Sequence, residues 1–432
     1  MLKDIVLKQK SKKETSLKLP YVERTQEPFA KKWLASDLIK VVLGPRRAGK
    51  SVFSLMLLKD RDFMYFDFDD ELLASEGGVN TDDLMKELHA AYGDVKTILF
   101  DEIQNLPAWE LFVNRLHREG YNLVLTGSNA RLLSMELATH LTGRHMPIEL
   151  LPFNFKEFLR GKQFVIDPKY GSLPEKRGQL LNLMDQYLVN GGFPEVVVSN
   201  LDPADYLDVL FDSLLFKDVV KRHRVKFSTQ IGSLSSHLVN NFASLYTLNK
   251  LKDVLNLKSV HTVNKYTNYL EEAYLIFSLS RYSFQSRLRI NSPKKVYVVD
   301  NGFVTAKAIQ HSPDKGKLME NLVLTELVKR GWDPNRELFY YQTKNQREVD
   351  FIVKKGHVVL ELMQVCYQSL SSEVEQRETK SLVEASQELS VKNLTILTWD
   401  EEREITKDGV TIQVRPLWKW LLENGNIHEE NK

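Results

Sequence analysis

The sequence predicts an α/β protein whose N-terminal part is a parallel sheet wound with helices, and three observations predict it. Apolar, strand-like runs at Leu38–Leu43, Phe63–Phe68, Thr97–Phe100, Asn122–Thr126 and Met146–Leu151 alternate with helix-like stretches. The first run passes through Gly44-Pro-Arg-Arg-Ala-Gly-Lys-Ser51 into the helical pattern Val52–Leu58. The third run leads directly into two carboxylates, Asp101 and Glu102.

Strand, glycine loop and helix in that order spell G-x-x-x-x-G-K-S, the arrangement that triphosphate binding demands. Glycine at 44 and 49 lets the backbone curl so that successive N–H groups face phosphate oxygens, and the helix N-terminus adds partial positive charge. The candidate nucleotide-binding residues are therefore Gly44, Pro45, Arg46, Arg47, Ala48, Gly49, Lys50, Ser51 and Val52. Lys50 is expected to reach the β- and γ-phosphates of ATP, and Ser51 to offer its hydroxyl to Mg²⁺. A buried strand that delivers an acid beside this loop makes Asp101 the expected metal-side carboxylate, acting through water, and Glu102 the group that polarises an attacking water. Hydrolysis to ADP is then the expected reaction. The next strand ends in Thr-Gly-Ser-Asn, so Ser128 and Asn129 are candidates to sense the γ-phosphate. Arg144, in Leu-Thr-Gly-Arg, is a candidate finger on its own or a neighbour's γ-phosphate, with Arg131 competing for the role. No Asn-Lys-x-Asp guanine signature accompanies the loop, which disfavours a GTPase.

Together with ILFDEIQNLPAWE, LTGSNARLL, LTGR and LPFNFKEF, the GPRRAGKS loop resembles those of the bacterial and archaeal predicted ATPases with an AAA+-type core. Tyr187–Glu195 (YLVNGGFPE) and Phe216–Val220 (FKDVV) are similar to segments of that family too, and the likeness runs from about residue 20 onward. The resemblance implies an ATPase core followed by a winged helix and a C-terminal domain similar to PD-(D/E)xK nucleases. On this reading residues 1–150 are the P-loop core, 151–227 a helical lid, 228–312 a winged helix-turn-helix and 313–432 the nuclease-like α/β domain.

Length and composition accommodate such a plan. A chain of 432 residues holds about three domains, and 43% hydrophobic with 27% charged residues describes an ordinary globular protein. No apolar run approaches the roughly 18 residues of a membrane span, so no membrane partner is expected. A single cysteine, Cys366, excludes an internal disulfide, and the expected location is the cytoplasm. Net charge is only +2, but its distribution is uneven. Lys217–Lys226 and Arg281–Lys295 are basic, the latter without an acid and interleaved with Tyr282 and Phe284.

In the third region, Ile231–Tyr246, Thr247–Leu255 and Ser259–Glu272 read as three helices, with Thr247 and Ser259 as caps. The third helix is the recognition candidate, carrying His261, Thr262, Asn264, Lys265 and Asn268. Leu275–Phe284 and Val296–Val299 are expected to form a wing hairpin with Arg287 and Arg289 at its tip. Lys265, Arg287 and Arg289 are thus the candidate DNA-binding residues, since backbone contacts need such charges.

The last region reads as helix Lys317–Arg330, strands Leu338–Tyr341, Glu348–Val353, Val358–Glu361 and Met363–Tyr367, helix Glu373–Leu389 and strand Leu394–Thr398. In the nuclease order Glu320 and Asp350 fill the first two metal positions. The third reads Gln364-Val-Cys366, where acid and lysine are expected; a frame shift to Glu361 restores the acid but not the lysine. Such a site lacks the charge-stabilising cation, so Glu320, Asp350 and Gln364 form a degenerate metal site, with Lys354 or Lys355 as conceivable substitutes. The carboxylates would then need neighbouring bases such as Arg347 or Lys344, or take up a proton. The leading expectation is a DNA-associated ATPase, as a homo-oligomer or with a partner protein that supplies or receives an arginine finger. The alternatives are an active ATP-dependent nuclease and an ATP-driven signalling or assembly switch without nucleic acid.

Overall fold

The computed structural model describes residues 2–74, 79–128, 143–166, 173–199, 201–309, 314–368 and 371–423. The chain divides into two compact units, Met1–Phe153 with Glu272–Tyr274, and Asn154–Glu271 with Leu275–Lys432.

In the first unit five strands, β1 (Ile39–Leu43), β2 (Met64–Asp67), β3 (Thr97–Asp101), β4 (Asn122–Gly127) and β5 (His145–Glu149), form one sheet in the order β2-β3-β4-β1-β5. Every pairing is parallel. β1, β3 and β4 are buried on both faces, which is why they read as continuous apolar runs. Alternation sends Ile39, Val41 and Leu43 to one core, shared with Leu84, Leu88, Trp109 and Leu116 of helices Thr81–Tyr92 and Trp109–Arg118. Val42 faces the other core with Phe53, Leu57 and Ala30 of helices Lys50–Leu57 and Glu27–Trp33. The N-terminal helix Leu2–Ser16 is folded against this unit, and Gln9 exchanges hydrogen bonds with the backbone N–H (2.8 Å) and carbonyl (3.1 Å) of Asp67 on edge strand β2. Those bonds occupy an edge that would otherwise expose unpaired backbone groups.

The second unit opens with helices Phe155–Gly161, Pro174–Asn190, Pro194–Val198 and Pro203–Leu214, the last running into a π-helical turn, Leu215–Lys221. Helices Ser228–Asn240, Leu248–Val254 and Val260–Glu272 follow, with a three-stranded antiparallel sheet ordered β6-β8-β7: β6 (Ser244–Tyr246), β7 (Ile276–Leu279) and β8 (Lys294–Val298). Thr247 caps as expected, accepting from the Lys250 N–H at 3.2 Å, and the Ser259 hydroxyl accepts from the His261 N–H at 3.1 Å. Two details depart from expectation. The first helix ends at Asn240, so Ser244–Tyr246 is a strand paired with β8. The strand expected over Leu275–Phe284 is only Ile276–Leu279, because the chain then leaves β8 and Tyr282 donates its N–H to the Tyr340 carbonyl at 2.7 Å. Arg287 and Arg289 consequently sit on a short exposed helix, Ser286–Asn291, rather than at a hairpin tip.

The remaining sheet has the order β13-β14-β12-β11-β10-β9, built from β9 (Leu338–Gln342), β10 (Glu348–Lys355), β11 (Val358–Cys366), β12 (Leu394–Thr398), β13 (Arg403–Lys407) and β14 (Val410–Pro416). The two runs expected on either side of Leu362 are one strand, β11. Helices Lys315–Lys329 and Ser372–Leu389 pack on the sheet. Among the described residues no helix is long and apolar enough to cross a membrane.

Candidate functional site

In a parallel sheet all strands end at the same edge, and crevices at that edge are where such folds bind ligands. Here β1 ends at Leu43, β3 at Asp101 and β4 at Gly127, bringing Gly44–Ser51, Asp101-Glu102 and Ser128 to one side. Gly44 has φ 150°, and a Cβ there would lie 2.0 Å from the Leu150 carbonyl oxygen, so only glycine lets the loop pass the residue that follows β5. Gly49, at φ 91°, caps the helix Lys50–Leu57 in the left-handed conformation. The Lys50 ammonium is buried, donates to the Pro45 carbonyl at 3.0 Å and lies 3.9 Å from Glu102 Oε1.

Asp101 is surrounded by hydroxyls. Ser51 Oγ donates to its Oδ1 at 3.0 Å, Tyr65 OH to its Oδ2 at 3.3 Å, and Thr126 Oγ1 also donates to Oδ1. Burial pushes the Asp101 carboxyl up to about 6, with the Asp67 and Glu102 charges adding to the shift and the hydroxyl donors opposing it. A divalent cation beside this group would favour its ionised form. The donor set fits Mg²⁺: Ser51 would ligate it directly and Asp101 would hold it through water. Glu102 lies next to this pair at φ 49°, with its N–H donating to Thr126 Oγ1 at 2.9 Å and its carboxylate accepting from the Gln104 amide.

Ser128 is buried and level with Gly44, because Gly127 is opposite Leu43 in the register. Asn129 and Arg131 lie outside the described residues. Arg144 precedes β5, and its carbonyl accepts from the Ile39 N–H at the start of β1. About six strand residues at roughly 3.3 Å each separate that level from Gly44, some 20 Å. Arg144 therefore cannot act on the γ-phosphate of its own P-loop, whereas a neighbour's remains geometrically open. Thr126, Tyr65 and Arg24 join the site without a sequence motif that marks them. The Arg24 guanidinium is buried, donates to the Ala48 carbonyl at 2.9 Å and the Leu151 carbonyl at 2.5 Å, and stacks 4.8 Å from the Phe153 ring.

The other expected residues fall in the second unit. Lys265 is exposed on helix Val260–Glu272, its Nζ 5.7 Å from the Tyr269 ring, and Arg287 and Arg289 are exposed. In the C-terminal sheet Phe351 pairs with Met363, placing Gln364 beside Asp350, and the Asp350 N–H donates to Gln364 Oε1 at 3.3 Å. The frame through Gln364 is thus the structural one; Glu361 points to the other face, where it accepts from Thr395 Oγ1 at 2.5 Å. Cys366 is a buried thiol, pushed up to about 11 by burial, and cannot supply a cation.

Lys354 does not replace it, since its ammonium donates to the Arg336 carbonyl at 3.2 Å. Arg347 is paired with Glu384 at 2.9 Å, so it is not the counter-charge for the acids either. That counter-charge is Lys295, a residue the sequence places among wing charges. It is buried, with Nζ 2.7 Å from Glu320, 2.6 Å from Glu348 and 3.3 Å from Asp350. Tyr297 OH donates to Glu320 Oε1 at 2.6 Å. Burial pushes the Glu320 carboxyl up to about 7 against the opposing pull of Lys295. Among the described residues no group of three or more His, Cys, Asp or Glu side chains is placed to hold a metal ion.

The fold and the first site define a P-loop ATPase of the AAA class. The AAA domain family matches residues 36–159, and two families described as domains of unknown function, DUF8612 and DUF4143, match 181–314 and 315–420. An uncharacterized protein of Methanocaldococcus jannaschii is 35% identical over 90% of this chain and 89% of its own length. Another, from Haemophilus influenzae, is 30% identical over 90% of this chain and 95% of its own length. The chain belongs to the family that these two proteins represent, an AAA domain joined to two further domains. Among solved structures, the Walker-type ATPase of Pyrococcus abyssi aligns with a TM-score of 0.46 at 18% identity, over 66% of this chain and 96% of that one.

Proposed function

We propose that this chain is a cytoplasmic, Mg²⁺-dependent ATPase that works on DNA, coupling hydrolysis at the P-loop to rearrangement of its C-terminal regions. The observation that carries the catalytic part is the convergence of Lys50, Ser51, Asp101 and Glu102 at one sheet edge, with the Ser51 hydroxyl 3.0 Å from a buried Asp101. Lys50 would neutralise the phosphates, and Glu102 would accept the proton of the attacking water once its carboxylate leaves the Gln104 amide. Ser128, level with Gly44, would read the γ-phosphate side, and Arg144 would serve a neighbouring subunit's site. The lone buried thiol accords with a reducing compartment.

The DNA reading is supported by the three helices and three-stranded sheet of residues 228–298, the topology of a winged helix, with residues 154–227 serving as a lid. Exposed Lys265, Arg287 and Arg289 would meet the phosphate backbone. The region from 313 onward is read as nuclease-like in fold and non-cleaving, because Gln364 and Cys366 stand where acid and lysine would act.

The test measures turnover and DNA binding together. Lys50→Ala is expected to lose ATP binding, and Glu102→Gln to retain it while turnover stops. Equal rates for wild type and Glu102→Gln would remove Glu102 from the mechanism. Replacing Arg287 and Arg289 by Ala should lower the slope of log K against log salt by about 0.9 per lost duplex phosphate contact. An unchanged slope would leave an assembly switch without nucleic acid as the better reading.

A further inference from the structure

We propose that the Lys295 ammonium is the resident cation of the Glu320–Glu348–Asp350 cluster, standing where a divalent metal would sit and so closing the C-terminal sheet to metal. The inference rests on the nuclease-like reading of that sheet, which is what makes a metal the expected occupant.

Three carboxylates from two elements converge on the Lys295 ammonium, and with that ammonium among them they are not placed to hold a metal ion. Glu348 and Asp350 are two apart on β10 and share a face, and Glu320 comes from helix Lys315–Lys329. Three such charges repel unless a cation lies among them or one takes up a proton. A lysine ammonium carries three N–H donors, and here it meets three carboxylates, at 2.6, 2.7 and 3.3 Å. Hard divalent ions need oxygens at about 2.0–2.6 Å, so their centre would fall inside the volume that Nζ already fills. The two cations are mutually exclusive.

The lysine is also held in place. Lys295 lies on the central strand β8, opposite Leu245 of β6 and Leu279 of β7, and it is only 3% exposed. Tyr297, two residues on and on the same face, donates to the Glu320 oxygen that Lys295 also contacts. Asp350 is fixed from the other side by the Val365 N–H at 3.0 Å. One strand face thus delivers both an ammonium and a phenol into the cluster. The missing lysine of β11 has no counterpart in sequence position; its charge returns from an upstream strand, placed to occupy the metal position rather than to assist a metal.

The experiment counts bound Mn²⁺ on the full chain by the loss of the free-ion electron paramagnetic resonance signal, without nucleotide. Wild type and Asp350→Asn should bind the same amount. Lys295→Ala should bind one additional Mn²⁺ per chain, and Lys295→Ala with Asp350→Asn should lose it again. The idea is overturned if wild type holds an ion that Asp350→Asn loses. A folded Lys295→Ala protein, with ATP turnover intact, that gains no ion would overturn it equally. If Lys295→Ala does not fold, Lys295→Met, which keeps the aliphatic stem and drops the charge, takes its place in the same comparison. Metal binding is read separately from DNA cleavage: Asp350-dependent cleavage would sink the non-cleaving reading, whereas an empty Lys295→Ala cluster would sink only this one.

Discussion

Arg24 shows how much of the candidate nucleotide site rests on a side chain that braces the P-loop backbone from outside the motif. Its two terminal nitrogens bind the carbonyls of Ala48, inside the P-loop, and Leu151, beyond β5. Removing a buried guanidinium leaves both carbonyls without that donor, and hydrogen bonds to charged groups contribute about 1.5–3 kcal/mol each. Arg24→Ala should therefore lose about 3 kcal/mol in urea unfolding of the first unit and bind ATP more weakly, while Arg24→Lys, which cannot span both carbonyls, should fall between. An Ala variant as stable as wild type would show that the loop holds its own shape. Gly44, Lys50, Ser51 and Asp101 were legible in the sequence because phosphate and metal chemistry fixes their residue types and their spacing from strand ends. Arg24 was not, since nothing local marks it; only the path of the chain past the P-loop does. Thr126 lay in view, in the same Thr-Gly-Ser that yielded Ser128, but its role depends on lying next to Asp101 across two strands.

Among the elements, the basic stretches were the least legible. Charges without neighbouring acids in sequence read as a solvated, phosphate-facing surface, and Arg287 and Arg289 are indeed exposed. Lys295 belongs to the same acid-free stretch, yet its partners lie 25 to 55 residues downstream, beyond the reach of any local pattern. The other basic stretch is similarly mixed. Asp218 within it is buried against Arg222 at 3.5 Å, and His223 stacks on Tyr269 of helix Val260–Glu272 at 3.6 Å with an 11° interplanar angle. Burial, then the Arg222 and Lys265 charges, hold the His223 imidazole down at about 4, below its usual 6.5. With the folded value depressed, the unfolded chain takes up the proton first as pH falls. This contribution is complete above about pH 6.5 and disappears as pH falls toward 4. Full burial would make it about 3 kcal/mol, and the ring's partial exposure reduces that to roughly 1 kcal/mol. His223→Phe keeps the ring stack and removes the titration. Its urea midpoint should fall less than that of wild type between about pH 7.5 and 4.5. Parallel curves would mean that His223 titrates as in the unfolded chain.

At the scale of the molecule, each compact unit has its own core and its own lock, which makes the two separately addressable. In the second unit the lock is Asp300, buried, whose carboxylate accepts from the Gly192 N–H at 2.8 Å and the Gly302 N–H at 2.9 Å. Gly191 is at φ 73°, and a Cβ there would stand 1.6 Å from Asp300 Oδ1. The Gly-Gly-Phe-Pro segment, which in sequence shows only a likeness to the family, is therefore the socket of a buried carboxylate. Gly191→Ala adds left-handed backbone strain to a clash that must displace Asp300, so a loss of about 3 kcal/mol or more is expected. On the proposed reading ATP with Mg²⁺ binds the first unit, and ligand at 100 times its dissociation constant stabilises what it binds by about 2.7 kcal/mol. Calorimetry should then resolve two transitions: one raised by ATP and Mg²⁺ and lost from that response in Lys50→Ala, the other lowered by Gly191→Ala and indifferent to nucleotide. A single transition that moves with both perturbations would show that the units unfold as one, and that stability is shared rather than held unit by unit.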